Sequence, residues 1–93
     1  AERTARASGE ERTAALALYY LGVIYRDKAE YDQAMGCYED AKGRFEALAE
    51  KRLESFPLYD MAVLHLYRGN TDTARDYFTQ IEKLYRDIGY QAS

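Results

Sequence analysis

Apolar residues recur at helical spacing between Leu18 and Ala41, and one short polar segment divides them. The polar segment is Asp27 to Glu30. Because residues three or four apart lie on one face of an α-helix, the pattern predicts two helices joined by a turn. Small side chains at Gly22 and Ala34 are expected to let the two backbones approach closely. Larger residues should fill the space around that contact, namely Leu18, Leu21, Tyr25 and Tyr38.

The same periodicity predicts four helices along the chain. Their expected bounds are 9–27, 31–53, 57–67 and 71–89. Ser8 with Glu11 fits a capping box, which places the start of the first helix near Gly9. Pro57 is expected in the first turn of the third helix, where its missing N–H has no partner to lose. The third helix should end at the glycine turn Arg68-Gly69-Asn70.

The second half of the chain repeats the first with an offset of 40 residues. Identical residues at this offset are Leu18 with Leu58, Tyr19 with Tyr59, Val23 with Val63, Asp32 with Asp72, and Ala34 with Ala74. Residues 5–9 align in the same way with the end of each second helix. Residues 1–8 are therefore interpreted as the end of a preceding repeat's last helix.

Seven residues carry a resemblance to a known repeat: Leu18, Leu21, Gly22, Tyr25, Ala34, Tyr38 and Ala41. Their spacing resembles the signature of the tetratricopeptide repeat (TPR), with Leu18 in place of the usual Trp. The family's closing Pro is replaced by Glu46. The 40-residue period is similar to the longer repeats of bacterial regulators and signalling ATPases.

The resemblance implies an all-α fold of two antiparallel helical hairpins stacked as a right-handed solenoid fragment. It implies one domain over residues 1–93, with about four helices preceded by a short helical segment at 1–8. The first repeat is expected at 9–53 and the second at 55–90. Two repeats without a capping helix should be marginally stable, because repeats bury their cores against neighbours. Self-association, or excision from a longer array, is therefore predicted.

The composition limits the classes of partner that are expected. The net charge is −3, which argues against nucleic acid as the main ligand because phosphate binding needs a basic face. No apolar run approaches the roughly 20 residues that span a bilayer, so no membrane partner is predicted. The single cysteine cannot form an intrachain disulfide, and a reducing, cytoplasmic setting is predicted.

Candidate catalytic and metal-binding residues are sparse. His65 is the only histidine and Cys37 the only cysteine, so neither has the companions that a zinc site or a catalytic pair requires. His65 is interpreted as a packed histidine and Cys37 as a small core residue. The sequence predicts a protein that is not an enzyme and that needs no cofactor or metal.

The resemblance also indicates where a partner could bind, since first helices of successive TPR units line a concave surface. The residues of this candidate face are Leu16, Tyr19, Val23, Arg26, Phe56, Tyr59, Val63, Leu66 and Tyr67. An apolar, tyrosine-rich surface is typical of protein binding. The predicted function is a protein-interaction or assembly scaffold whose partner is another protein, a peptide or a second copy. The alternative is a sensor or regulatory segment of a larger bacterial signalling or transcription protein.

Overall fold

The fold is a sequential array of four antiparallel helices. A computed structural model describes the backbone of residues 2–92 and the side chains of residues 9–89. The helices are α1 (Glu2–Asp27), α2 (Tyr31–Ala47), α3 (Lys51–Tyr67) and α4 (Thr71–Ala92). Helix α1 packs on α2, α3 on α4, and α2 on α3. The predicted all-α pair of stacked hairpins is confirmed, whereas the handedness of the stack stays a prediction.

Three turns of the same conformation join the helices at intervals of 20 residues. In each turn the middle residue has a positive φ, which is 61° at Ala29, 57° at Ala49 and 80° at Gly69. In each, the next N–H donates to the carbonyl five residues back: Glu30 to Tyr25, Glu50 to Phe45 and Asn70 to His65, at 2.8, 3.0 and 2.8 Å. This bond satisfies a carbonyl that the end of a helix would otherwise leave unpaired.

The predicted boundary between the second and third helices is wrong. Helix α2 ends at Ala47, and α3 begins at Lys51 and runs through Pro57. The turn was not apparent in the sequence because Ala49, and not glycine, adopts the left-handed conformation there. Pro57 lies inside the helix and is buried. The apolar packing around it outweighs the loss of one backbone hydrogen bond.

The outer bounds of the array also differ from the prediction. Helix α1 begins at Glu2 and passes unbroken through Ser8 and Gly9, so the predicted start near Gly9 is wrong. A serine caps a helix only where the chain enters it, and the preceding segment is rich in Ala and Arg, which favour helix. Helix α4 continues three residues past Gly89 to Ala92. The terminal residues Ala1 and Ser93 lie outside the described range.

The core consists of two clusters of buried side chains. The larger cluster joins α2 to α3 and contains Ala34, Tyr38, Leu58, Met61 and Leu64. The smaller cluster joins α1 to α2 and contains Ala15, Ala41 and Phe45, with Leu53 of α3 packed against it. Both clusters therefore reach the surface on which α3 meets the first hairpin. We call this surface the internal junction.

Helices α1 and α2 approach closely where Gly22 lies against Tyr38. A Cβ atom at Gly22 would stand 2.7 and 2.9 Å from two carbon atoms of the Tyr38 ring. The predicted close approach is thus confirmed at Gly22, and Ala34 is fully buried as well. Leu21 was expected in this contact, but it is 40% exposed, because adjacent residues of a helix point about 100° apart.

The Gly22→Ala substitution is expected to lower the free energy of unfolding by about 1–3 kcal/mol, because the new methyl group overlaps the Tyr38 ring. The matched control is Gly36→Ala. A Cβ at Gly36 meets no atom within 4 Å, so this change should raise stability by about 0.5–1 kcal/mol through helix propensity. Urea unfolding followed by circular dichroism measures both. A Gly22→Ala protein as stable as the Gly36→Ala protein would contradict the close contact.

The turn conformations predict that exchanging alanine and glycine has opposite effects on stability at Ala29 and Ala49 and at Gly69. Ala29→Gly and Ala49→Gly should each raise the free energy of unfolding by about 0.5–1 kcal/mol, since glycine relieves the left-handed strain by more than it adds flexibility to the unfolded chain. Gly69→Ala should lower it by a similar amount. Thermal unfolding of the three variants checks the signs. If Ala49→Gly destabilises the protein, residue 49 does not adopt a positive φ in solution.

Candidate protein-binding face

The nine residues of the candidate face divide into two groups with different surroundings. Those on α3 are mostly exposed: Phe56, Tyr59, Leu66 and Tyr67, with Val63 half-buried. Those on α1 are all half-buried: Leu16, Tyr19, Val23 and Arg26. The two groups meet where α1 lies beside α3, with the ring centroids of Tyr19 and Phe56 6.1 Å apart.

The α3 group forms one apolar strip along the helix. At 3.6 residues per turn its five members fall within an arc of about 100°. Tyr59 is 55% exposed and Tyr67 is 73% exposed. The Tyr59 ring packs edge-on against Phe78 of α4, with a centroid distance of 6.0 Å. One side of Tyr59 is thereby fixed within its own hairpin, and the other side is open to solvent.

The α1 group takes part in packing between the hairpins. Tyr19 lies 5.8 Å from the ring of Tyr38 and contacts both core clusters. Leu16 packs against the smaller cluster and Val23 against the larger one. These side chains therefore contribute to the fold, and only their outer surfaces remain accessible.

A buried polar cluster, which the sequence did not indicate, lies at the internal junction. Asp60 on α3 is only 6% exposed, and its Oδ2 atom is 3.5 Å from Nη1 of Arg26 on α1. Within residues 9–89, Oδ2 of Asp60 and the hydroxyl of Tyr38 are buried without a hydrogen-bond partner. Burying a carboxylate is costly unless a cation compensates it, so Arg26 ties the first hairpin to α3.

The two tyrosines beside Asp60 are held in the neutral form. Burial, and then the negative charge of Asp60, raises the pKa of Tyr19 from 10.0 to about 12. The same two causes raise the pKa of Tyr38 above its ordinary value. Both phenols therefore stay protonated at neutral pH.

One feature of the sequence does correspond to this cluster. Asp60 is the only acidic residue in the apolar and aromatic run from Leu58 to Tyr67. An isolated carboxylate in such a run could have indicated a charge that must find a partner inside the fold. The partner could not be identified from the sequence, because Arg26 is 34 residues away on another helix.

The single histidine and the single cysteine lie in packed surroundings. His65 stacks on Tyr77 with a centroid distance of 5.5 Å, and its Nδ1 atom is 3.3 Å from Nδ2 of Asn70. Cys37 is half-buried, and burial followed by the charge of Asp40 raises the pKa of its thiol. A raised pKa disfavours the reactive thiolate.

The described residues show no group of three His, Cys, Asp or Glu side chains that could hold a metal ion. Among the helices described, none is both long and apolar enough to cross a membrane.

Comparison with known proteins identifies the family. The family model described as tetratricopeptide repeat matches residues 12–87, which include both hairpins. The chain belongs to the tetratricopeptide repeat family. Repeats of this family generally mediate interactions between proteins, and they are typically non-catalytic. No significant match to a curated protein or to a solved structure is found.

The ion pair at the internal junction predicts a coupled effect on stability. Arg26→Met should lower the free energy of unfolding by about 1–3 kcal/mol, because it leaves the Asp60 carboxylate buried without a cation. In an Asp60→Asn background, Arg26→Met should lower the free energy of unfolding by less, since no carboxylate charge remains to be compensated. A double-mutant cycle measured by urea unfolding tests this. Equal costs in the two backgrounds would show that the residues are not coupled.

Proposed function

We propose that this chain is a protein-interaction module that binds a partner through the candidate face, chiefly through its α3 strip. The observation that carries the proposal is the exposure of four large apolar side chains on one side of α3: Phe56, Tyr59, Leu66 and Tyr67. Contiguous apolar surface of this kind marks interaction sites in soluble proteins. The family assignment agrees with a protein or peptide as the ligand.

The chemistry of the strip suggests the kind of segment that it binds. Tyr59 and Tyr67 combine a large rigid ring with a hydroxyl that can bond to a peptide backbone. The neighbouring positions Phe56, Val63 and Leu66 are purely apolar. The only charged member of the face is Arg26, which is already paired with Asp60. The expected ligand is therefore a peptide that presents apolar or aromatic side chains, and not one held by its terminal carboxylate.

The resemblance to the family's chaperone-binding members does not extend to this face. Those members use Lys, Arg and Asn on their first helices to hold a carboxylate. Tyr19 and Val23 occupy two of the corresponding positions here. This difference supports an apolar ligand.

The experiment selects ligands from a displayed peptide library on the native chain and measures the affinity of the best binders by calorimetry. Tyr59→Lys and Tyr67→Lys should each weaken binding about tenfold or more, as expected when an aromatic anchor is lost. The matched control is Tyr31→Lys, which alters an exposed tyrosine on α2 outside the face. If the selected peptides bind all three variants as tightly as the native chain, the face is not the binding site.

A further inference from the structure

The two outer surfaces of the molecule repeat the two sides of its internal junction. On the first hairpin, Tyr38 and Phe45 are fully buried by packing that includes α3. Forty residues later, Phe78 and Tyr85 on α4 are 37% and 53% exposed. The repeat therefore places large aromatic residues on an outer surface of α4, where their equivalents are covered.

The same comparison holds for the opposite outer surface. On α3, Met61 and Leu64 are each 1% exposed because they pack against the first hairpin. Their equivalents on α1, Leu21 and Ile24, are 40% and 50% exposed. The neighbouring Tyr20 is 60% exposed. We name Tyr20, Leu21 and Ile24 the α1 end face, and Leu66, Phe78 and Tyr85 the α4 end face.

A groove at the α4 end face corresponds to the place where α3 lies on the first hairpin. It has a volume of about 380 Å³. Its apolar lining is Leu66, Ala74 and Phe78, and its polar lining is Thr71, Arg75, Thr79 and Glu82. The residues equivalent to Ala74 and Phe78 are Ala34 and Tyr38, and both belong to the cluster that packs on α3. Ala74 and Phe78 thus match two residues of the surface that receives α3.

The charges around the internal junction recur with the same signs at the two end faces. Arg68, the residue that follows α3, bonds to Asp32 of the first hairpin at 2.8 Å. The residues 40 positions away are Lys28 on the α1 side and Asp72 on the α4 side. In the same way Arg12 pairs with Glu50 at 3.1 Å. The equivalents of this second pair are Arg52 and Glu10, and they also have opposite charges.

The third ion pair of the junction, between Arg26 and Asp60, corresponds to two apolar residues at the end faces. Leu66 occupies the position of Arg26, and Tyr20 occupies the position of Asp60. Two apolar residues can meet without the desolvation penalty that a buried ion pair carries. At the positions of these three ion pairs, the two end faces therefore present partners that suit each other.

We infer that a second copy of this chain occupies the groove, so that α1 of one copy packs on α4 of the next as α3 packs on α2. Phe78 then contacts Leu18, Leu21 and Ile24 of the neighbouring copy, in the way that Tyr38 contacts Leu58, Met61 and Leu64. The charge pairs fix the register and add little affinity, since exposed pairs are worth at most about 1 kcal/mol.

This contact joins two different surfaces, so it does not close upon itself. Each added copy presents a fresh end face, and the assembly grows by head-to-tail addition. Leu66 is the one residue of the candidate face that takes part in this contact, and the inference does not depend on the proposed function.

Sedimentation velocity of the native chain and of two variants tests the inference. The average mass of the native chain should rise steadily with concentration, without a plateau at the dimer. Ile24→Lys blocks the α1 end face and Tyr85→Lys blocks the α4 end face, so each variant alone should remain monomeric. An equimolar mixture of the two variants retains one intact face of each kind. It should therefore form a 1:1 dimer of twice the mass of one chain, and nothing larger.

Two controls show whether assembly depends on the end faces alone. Tyr67→Lys alters an exposed residue of the candidate face that belongs to neither end face, and it should assemble like the native chain. Circular dichroism verifies that every variant is folded, and Tyr85→Ser, which removes the ring without adding a charge, repeats the test on α4.

A native chain that stays monomeric at every concentration would overturn the inference and leave the end faces to a different occupant, such as a neighbouring repeat. A mixture that fails to pair, although the native chain associates, would exclude the head-to-tail arrangement. Loss of assembly in Tyr67→Lys but not in Ile24→Lys would place self-association on the candidate face instead.

Discussion

The contacts of one buried ring, that of Tyr38, hold the structure together. The ring lies directly against Gly22 of α1 and clusters with Leu58, Met61 and Leu64 of α3. It therefore belongs both to the packing within the first hairpin and to the packing between hairpins. Since an interior is close-packed, any displacement of this ring is transmitted to both surfaces. In the second hairpin the equivalent residue is Phe78, which packs against Tyr59 but stays partly exposed.

The polar cluster around Asp60 adds specificity to this apolar junction. The pair with Arg26 joins two helices that are not consecutive in the chain, so it favours one register of α3 on the first hairpin. A buried pair contributes little net stability, but the loss of one partner is costly. The junction therefore combines apolar contacts, which supply most of the stabilisation, with one buried ion pair that fixes the position of α3.

A repeat architecture makes burial depend on position in the array. Residues of the same kind at the same repeat position are buried in the middle of this molecule and exposed at its two ends, as Tyr38 and Phe78 illustrate. The candidate face and the end faces share only Leu66, and they have different expected partners. The strip on α3 is suited to a peptide, whereas the end faces are suited to another helical hairpin.

The sequence alone determined the helical class, the 40-residue repeat and the close approach at Gly22, because periodic burial and small residues leave a direct signal. It did not determine the boundary between α2 and α3. Ala49 adopts a conformation that is usually taken by glycine, and the packing around Pro57 allows the helix to continue through it. It also did not show that Tyr19 and Arg26 are largely engaged between the hairpins, while Tyr59 and Tyr67 are open. Only the tertiary structure decided which of the two residues at each repeat position is buried, because burial depends on neighbours far away in the chain.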